Sequence, residues 1–271
     1  MVSVQQGHIT LHVNDINHGL CRIYKGPEQP DINQPTGWAS EGKLGRWCYS
    51  PVVATRITDE YSCFLVNESH ELCQSDFDLT MTSGMQPFKV LGGQLGREPV
   101  ACVRRGTIHI FHVGMDRAIY HKAWDGINYH PNEGFERLEG YFLDGIAAVS
   151  CARDEVSVFA IGVKTGKLHH YRWTEEEGWK LQENIPGEWG GSLSVATLKY
   201  KCWDLFGLDL KSKIIRVSYS KDADGKKQLP SMFLNINPSQ ENQPSNTKNW
   251  KASGRPFPQS FQHPDVSTSS P

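Results

Sequence analysis

Two histidines occupy matching places in two similar stretches, Ile119-Tyr120-His121-Lys122-Ala123-Trp124 and Leu168-His169-His170-Tyr171-Arg172-Trp173. An imidazole can donate to, or accept from, a ligand hydroxyl or a polarised carbonyl. An indole such as Trp124 or Trp173 can stack on an apolar ligand face. Tyr120 adds a phenolic donor. The same residue types also serve as framework, with a His bonded to a neighbouring element and a Trp packed in a core. Trp47 and Trp179 share that second reading. The pair His169-His170 is not a metal site, because adjacent residues of an extended chain point to opposite faces. His109 and His112, three apart, are separated in the same way, so no metal ligands are assigned.

Other chemistry is thinly represented. Glu175-Glu176-Glu177 and Asp154-Glu155 read as solvated turns, and Gly92-Gly93 and Gly190-Gly191 as turn glycines. No serine nucleophile elbow, phosphate-cradling glycine loop or HExxH is present. Cys63 or Cys102 as a nucleophile would need a base that the sequence does not identify. No catalytic residue and no cofactor are assigned, and whether the chain is an enzyme stays open.

Composition narrows the partners. Over 271 residues, 28 Lys and Arg face 30 Asp and Glu, giving a net charge of −2. That is no cationic field for nucleic acid. No apolar run reaches the roughly 18 residues of a membrane-spanning helix, so no membrane partner is expected. The start, MVSVQQGHITLHV, has neither a basic nor an apolar signal-peptide region, which predicts a cytoplasmic protein. Seven Cys without CxxC pairs read as buried thiols in a reducing compartment.

The elements that position these residues come from a repeat. Phe64, Phe111, Phe159 and Phe206 follow one another at 47, 48 and 47 residues. Each sits in an alternating segment such as Ile108-His109-Ile110-Phe111. A second alternating segment follows, as in Leu20-Cys21-Arg22-Ile23, Leu72-Cys73-Gln74 and Ile215-Arg216-Val217-Ser218. A small apolar segment precedes it (Pro51-Val52-Val53-Ala54), and a short one closes it (Phe88-Lys89-Val90-Leu91 or Phe135-Glu136-Arg137-Leu138). Period-two alternation between Gly, Asp and Asn turns is strand patterning. Repeats of this length with four strands predict an all-β, five-bladed β-propeller with four-stranded antiparallel blades. The blades run about 1–50, 51–98, 99–145, 146–192 and 193–234. The rest, 235–271, reads as an irregular Pro/Ser/Asn-rich tail whose Trp250, Phe257 and Phe261 could dock on the propeller.

The stretch from Ile108 through Met115-Asp116-Arg117-Ala118-Ile119-Tyr120-His121-Lys122-Ala123-Trp124-Asp125-Gly126 resembles the repeat of bacterial and fungal fucose-type propeller lectins. Val158-Phe159, Gly162, Tyr171, Trp173, Trp179 and Leu91-Gly92-Gly93 extend the likeness. The resemblance implies sugar binding between adjacent blades, and it implies six or seven blades, from which five departs. In that family's fungal members a site uses an Arg on the second strand, a Glu on the third, and a Trp. Carried over, the Arg position falls at Thr10, Ser62, His109, Ser157 and Asp204. The Glu position falls at Arg22, Gln74, His121, His170 and Val217. No repeat keeps both residues.

The resulting expectation is a lectin-like, glycan-binding propeller with degenerate sites, drawing on His109, Tyr120, His121, Trp124, His170, Trp173, Gln74 and Arg22. A homodimer is compatible with it. Unlike repeats also suit one asymmetric pocket. That alternative is an enzyme of fungal-type secondary metabolism, a cyclase or pericyclase such as a hetero-Diels–Alderase, working by shape and donors from Tyr120, His121 and His170. A protein-interaction propeller without a small ligand is the third reading.

Overall fold

Alternating apolar and polar residues, punctuated by glycine turns, fold here into strands only. The computed structural model describes residues 61–76, 86–143, 145–182, 184–185, 187–197 and 199–220, with side chains except at 144. In the strands outside those ranges it describes the backbone. The tail 235–271 and Trp47 lie outside the described residues. Among the described residues there is no helix.

Five antiparallel sheets follow in chain order. The first holds β1 (Val2–Gln5), β2 (His8–Asn14), β3 (Leu20–Lys25) and β4 (Ala39–Gly45). The second holds β5 (Val52–Ile57), β6 (Glu60–Val66), β7 (Leu72–Asp78) and β8 (Lys89–Gly92). The third holds β9 (Val100–Arg104), β10 (Thr107–Val113), β11 (Ile119–Trp124), β12 (Tyr129–His130) and β13 (Glu136–Leu138). The fourth holds β14 (Phe142–Ala152), β15 (Glu155–Gly162), β16 (Leu168–Thr174) and β17 (Gly178–Leu181). The fifth holds β18 (Gly191–Ala196), β19 (Cys202–Leu208), β20 (Ile214–Lys221) and β21 (Lys227–Gln228). All lie within Met1–Ile236.

The sheets stack on one another through three apolar layers. Phe64, Val66 and Leu72 of the second sheet meet Ile108 and Ile110 of the third. Phe111, Val113 and Ile119 of the third meet Val156, Val158 and Ala160 of the fourth. Phe159, Ile161 and Leu168 of the fourth meet Trp203, Leu205 and Val217 of the fifth. A middle strand is therefore buried on both faces. Along β10, Ile108 and Ile110 face one neighbour while Phe111 and Val113 face the other. Each such side chain contributes about 1.5–3 kcal/mol on burial. The first strands lie side by side, β9 against β5 and β14, and β14 against β18.

The third sheet departs from the four-strand expectation. Its outer edge is two pieces, β12 and β13, both paired to β11. The bulge between them is held by the buried ammonium of Lys122. Its Nζ donates to the carbonyls of Pro131, at 3.0 Å, and Gly134, at 2.6 Å. The rings of Tyr129 and Phe135 lie 5.4 and 5.0 Å from it. Carbonyls and ring faces stand in for a carboxylate, a neutral solvation shell for a buried cation.

Candidate functional site

The cross-strand register fixes which side chains meet. Phe64 pairs with Gln74, Phe111 with His121, Phe159 with His170 and Phe206 with Arg216. Two residues before each Phe, on the same face, stand Ser62, His109, Ser157 and Asp204. In the fifth repeat the residue in this row is Arg216 rather than the expected Val217. The strand begins at Ile214, so the third residue, Arg216, is the equivalent of His121.

In every described repeat the two positions bond to each other. Gln74 Nε2 donates to Ser62 Oγ at 3.4 Å, and His109 Nδ1 lies 3.1 Å from His121 Nε2. His170 Nε2 lies 2.9 Å from Ser157 Oγ. Arg216 forks onto Asp204, with Nε and Nη2 both 3.0–3.1 Å from Oδ1. The fifth repeat thus carries an acid on its second strand and an Arg on its third, an ion pair where the other described repeats hold neutral partners.

The densest cluster lies between the third and fourth sheets. His121 Nδ1 is 3.0 Å from Glu136 Oε2, and Trp179 Nε1, from the next sheet, donates to the same oxygen at 3.0 Å. The carboxylate sets the tautomers. It accepts the His121 Nδ1 proton, so His121 Nε2 accepts from His109 Nδ1. His109 Nε2 is left with a bare, buried lone pair, and that atom has no partner. Burial, then His121 and Arg104, push the His109 pKa down to about 3, so the ring is neutral at pH 7. Burial likewise lowers His121, against the pull of Glu136. Glu136 is lowered by its bond from His121.

Arg104 closes the other side. Its guanidinium lies 4.5 Å above the Trp173 ring, and it is paired with Glu175. The Arg104 Nε–H is buried without a partner. The His109 ring is 6.0 Å from Trp173. The turn Glu175-Glu176-Glu177 is therefore not simply solvated. Glu175 meets Arg104 and Arg105, and Glu177 meets Arg172 and Lys180. The turn joining β16 and β17 thus brings Glu175 against the end of β9 in the adjoining sheet, while Glu177 stays with its own sheet.

The sequence-chosen residues divide among three interfaces. His109, His121 and Trp173 meet between the third and fourth sheets. His170 lies between the fourth and fifth, stacked on Phe159 at 4.6 Å and edge-on to Trp203 at 5.7 Å. Gln74 accepts from Tyr129 OH at 2.9 Å between the second and third sheets. Trp124 packs on that same Tyr129 at 4.4 Å. Tyr120 points away from His121, stacks on His112 and donates to Asp116 at 3.0 Å. Arg22 lies on β3, where only the backbone is described. Tyr120, His121 and His170 consequently share no pocket, because strand alternation and sheet boundaries separate them. Sequence reasoning left Glu136 and Arg104 without roles. The signal for Glu136 was its place in the closing strand opposite His121, visible only once the register is known. Among the described residues no cluster of three His, Cys, Asp or Glu could hold a metal. Burial pushes the Cys102 thiol up to about 12.

Stacked antiparallel sheets of four strands, or five in the third, with first strands side by side define a β-propeller, and solved structures share it. The chain superposes on BP39L lectin from Burkholderia pseudomallei with a TM-score of 0.69 at 12% identity, covering 86% of this chain and 69% of that one. It matches the fucose-specific lectin from Aleuria aurantia with a TM-score of 0.59 at 12% identity, over 86% and 77%. For AofleA from Arthrobotrys oligospora the values are 0.58 and 14%, over 85% and 68%. The Aleuria lectin is described as a six-bladed propeller. The fold is thus that of the fucose-type propeller lectins. No protein-family model and no curated protein matches the sequence.

Proposed function

We propose that this protein is a glycan-binding β-propeller that receives a sugar hydroxyl between its third and fourth sheets. The observation that carries the reading is the pair of unpartnered buried atoms beside Trp173: an acceptor, His109 Nε2, and a donor, Arg104 Nε–H. A hydroxyl is donor and acceptor at once, so one functional group satisfies both kinds of atom. Trp173 and Trp179 supply ring faces for the apolar side of a pyranose, and the half-exposed Glu136 a further acceptor at the rim. The fold supports the reading, since the Aleuria lectin has been solved with α-methyl-L-fucoside and with Fucα1-6GlcNAc. Five sheets in sequence are read as five blades, each one contiguous segment, with 235–271 as a tail.

Ligand-observed NMR against L-fucose and a small glycan panel tests this. Saturable binding that is lost in His109→Phe and in Trp173→Ala is expected. No binding at millimolar sugar, or binding that both variants retain, overturns it.

A further inference from the structure

The hairpins joining second and third strands end in equivalent turns. A backbone bond closes each one: Asn67 N to Glu71 O at 3.0 Å, Gly114 N to Ala118 O at 2.9 Å, Gly162 N to Lys167 O at 2.9 Å, and Asp209 N to Lys213 O at 2.8 Å. The residue just after the closing N–H is the tip. In the third, fourth and fifth sheets that tip is apolar and exposed: Met115, Val163 and Leu210 at 53%, 37% and 69%. In the second sheet it is Glu68.

The tips are built in place. A Cβ on Gly114 would lie 2.7 Å from the Tyr120 ring, and one on Gly162 would lie 2.6 Å from His169 and from Thr165, so each turn needs its glycine. The Met115 tip is tied to the preceding loop, its N–H donating to the Gln94 carbonyl at 3.1 Å. Tyr141, also exposed, lies beside Val163, whose N–H donates to the Tyr141 carbonyl. Successive sheets point these hairpins the same way, so the tips share one end of the fold.

Cations frame two of them. Lys164 and Lys167 flank Val163, and Lys211 and Lys213 flank Leu210. All four are exposed, and among the described residues none is in an ion pair. The one acid in the fifth turn, Asp209, has Oδ1 turned back onto the N–H groups of Lys211 and Lys213, at 2.8 Å each. In the third-sheet turn Asp116 is occupied by Tyr120 and Arg137. A chain of net charge −2 therefore concentrates unpaired positive charge around protruding aliphatic side chains. Lysines beside shallow apolar tips are complementary to an anionic lipid surface, with the aliphatic groups reaching the acyl boundary and the ammonium groups the phosphates.

We propose that the hairpin end of the third to fifth sheets docks on an anionic bilayer surface, with Met115, Val163 and Leu210 inserted and the four lysines at the headgroups. This is surface attachment and needs no spanning segment.

Cosedimentation of the full chain with phosphatidylcholine vesicles, with and without phosphatidylserine, tests the proposal. Binding only to the phosphatidylserine vesicles, weakening as salt rises, is expected. A Met115→Ser/Val163→Ser/Leu210→Ser variant should bind at least about tenfold more weakly, as should Lys164→Glu/Lys211→Glu. Circular dichroism should be unchanged in both, since every altered side chain is exposed. Absence of binding to phosphatidylserine vesicles overturns the proposal, as does binding that either variant leaves intact. Loss in the lysine variant alone overturns insertion, since the attachment is then to the headgroups only. The glycan titration reads a different part of the molecule, so the two proposals fail separately.

Discussion

The third and fifth sheets answer one structural question in opposite ways. At the same two register positions, the third holds His109 and His121, and the fifth holds Asp204 and Arg216. Both pairs are bonded across the strands. The histidines are buried, at 4% and 5% exposure, and neutral. The ion pair keeps 27% and 37% of its side-chain surface in water. At these two positions charge survives where solvent still reaches the pair, and where the next sheet covers it a neutral relay takes its place. That is the expected outcome of desolvation costs of several kcal/mol per buried ion. The position is fixed by the fold, and its chemistry by how completely the neighbouring sheet covers it.

Acid should break this comparison most strongly. His109 is held down to about 3 and His112 to about 4, both mainly by burial, against about 6.5 in the unfolded chain. The unfolded state therefore binds the extra protons below pH 6.5, and stability falls as pH drops from there towards 4. With two groups the slope is roughly 3 kcal/mol per pH unit. Urea denaturation at pH 7, 6 and 5 measures it. His112→Phe, in a site where neither ring nitrogen has a partner, should remove about half of the slope, and Arg216→Ala should leave it unchanged.

Removing the apolar floor of the histidine pair comes next. Phe111 is fully buried and stacks on His121 at 4.8 Å. Phe111→Ala should cost about 3–4 kcal/mol in equilibrium denaturation. The fourth sheet offers the intermediate case. Ser157→Ala removes the hydrogen bond between Ser157 Oγ and His170 Nε2 and should cost about 1 kcal/mol, readable as a lowered midpoint with an unchanged denaturant slope. The smallest effect belongs to the exposed pair. Arg216→Ala should change stability by less than about 1 kcal/mol, and less again at high salt. A larger loss there would mean that the fifth sheet is covered by something beyond the described residues.

Much of this was legible in the sequence, for physical reasons. The Phe spacing located the second strand of the second to fifth sheets, because a residue at a repeating core position cannot move without opening a cavity. His109 and Ser157 fell in the right row because each sits two residues before that Phe, and His121 and His170 because each is the third residue of a strand that opens on a clear apolar residue, Ile119 or Leu168. Arg216 was missed by one residue. Ile214 and Ile215 are both apolar, and choosing the wrong one as the strand's first residue flips every side chain after it to the other face. Phe159 to His170 also spans one residue more than Phe111 to His121, since the turn from Gly162 to Lys167 is longer. Glu136 and Arg104 were out of reach for another reason. Their roles depend on contacts with other strands and with the next sheet, and no local pattern reports those. The hairpin tips were legible as turns, but their shared exposure was not.

Lys122 offers a last consequence. Its ammonium is enclosed by carbonyls and ring faces at 3% exposure, while Lys164, Lys167, Lys211 and Lys213 stand in open solvent. An amine-acylating reagent should therefore mark those four within moments and leave Lys122 untouched until the third sheet opens. Appearance of the adduct at Lys122 in a peptide digest becomes a clock for that opening, set inside the native chain and needing no engineered probe.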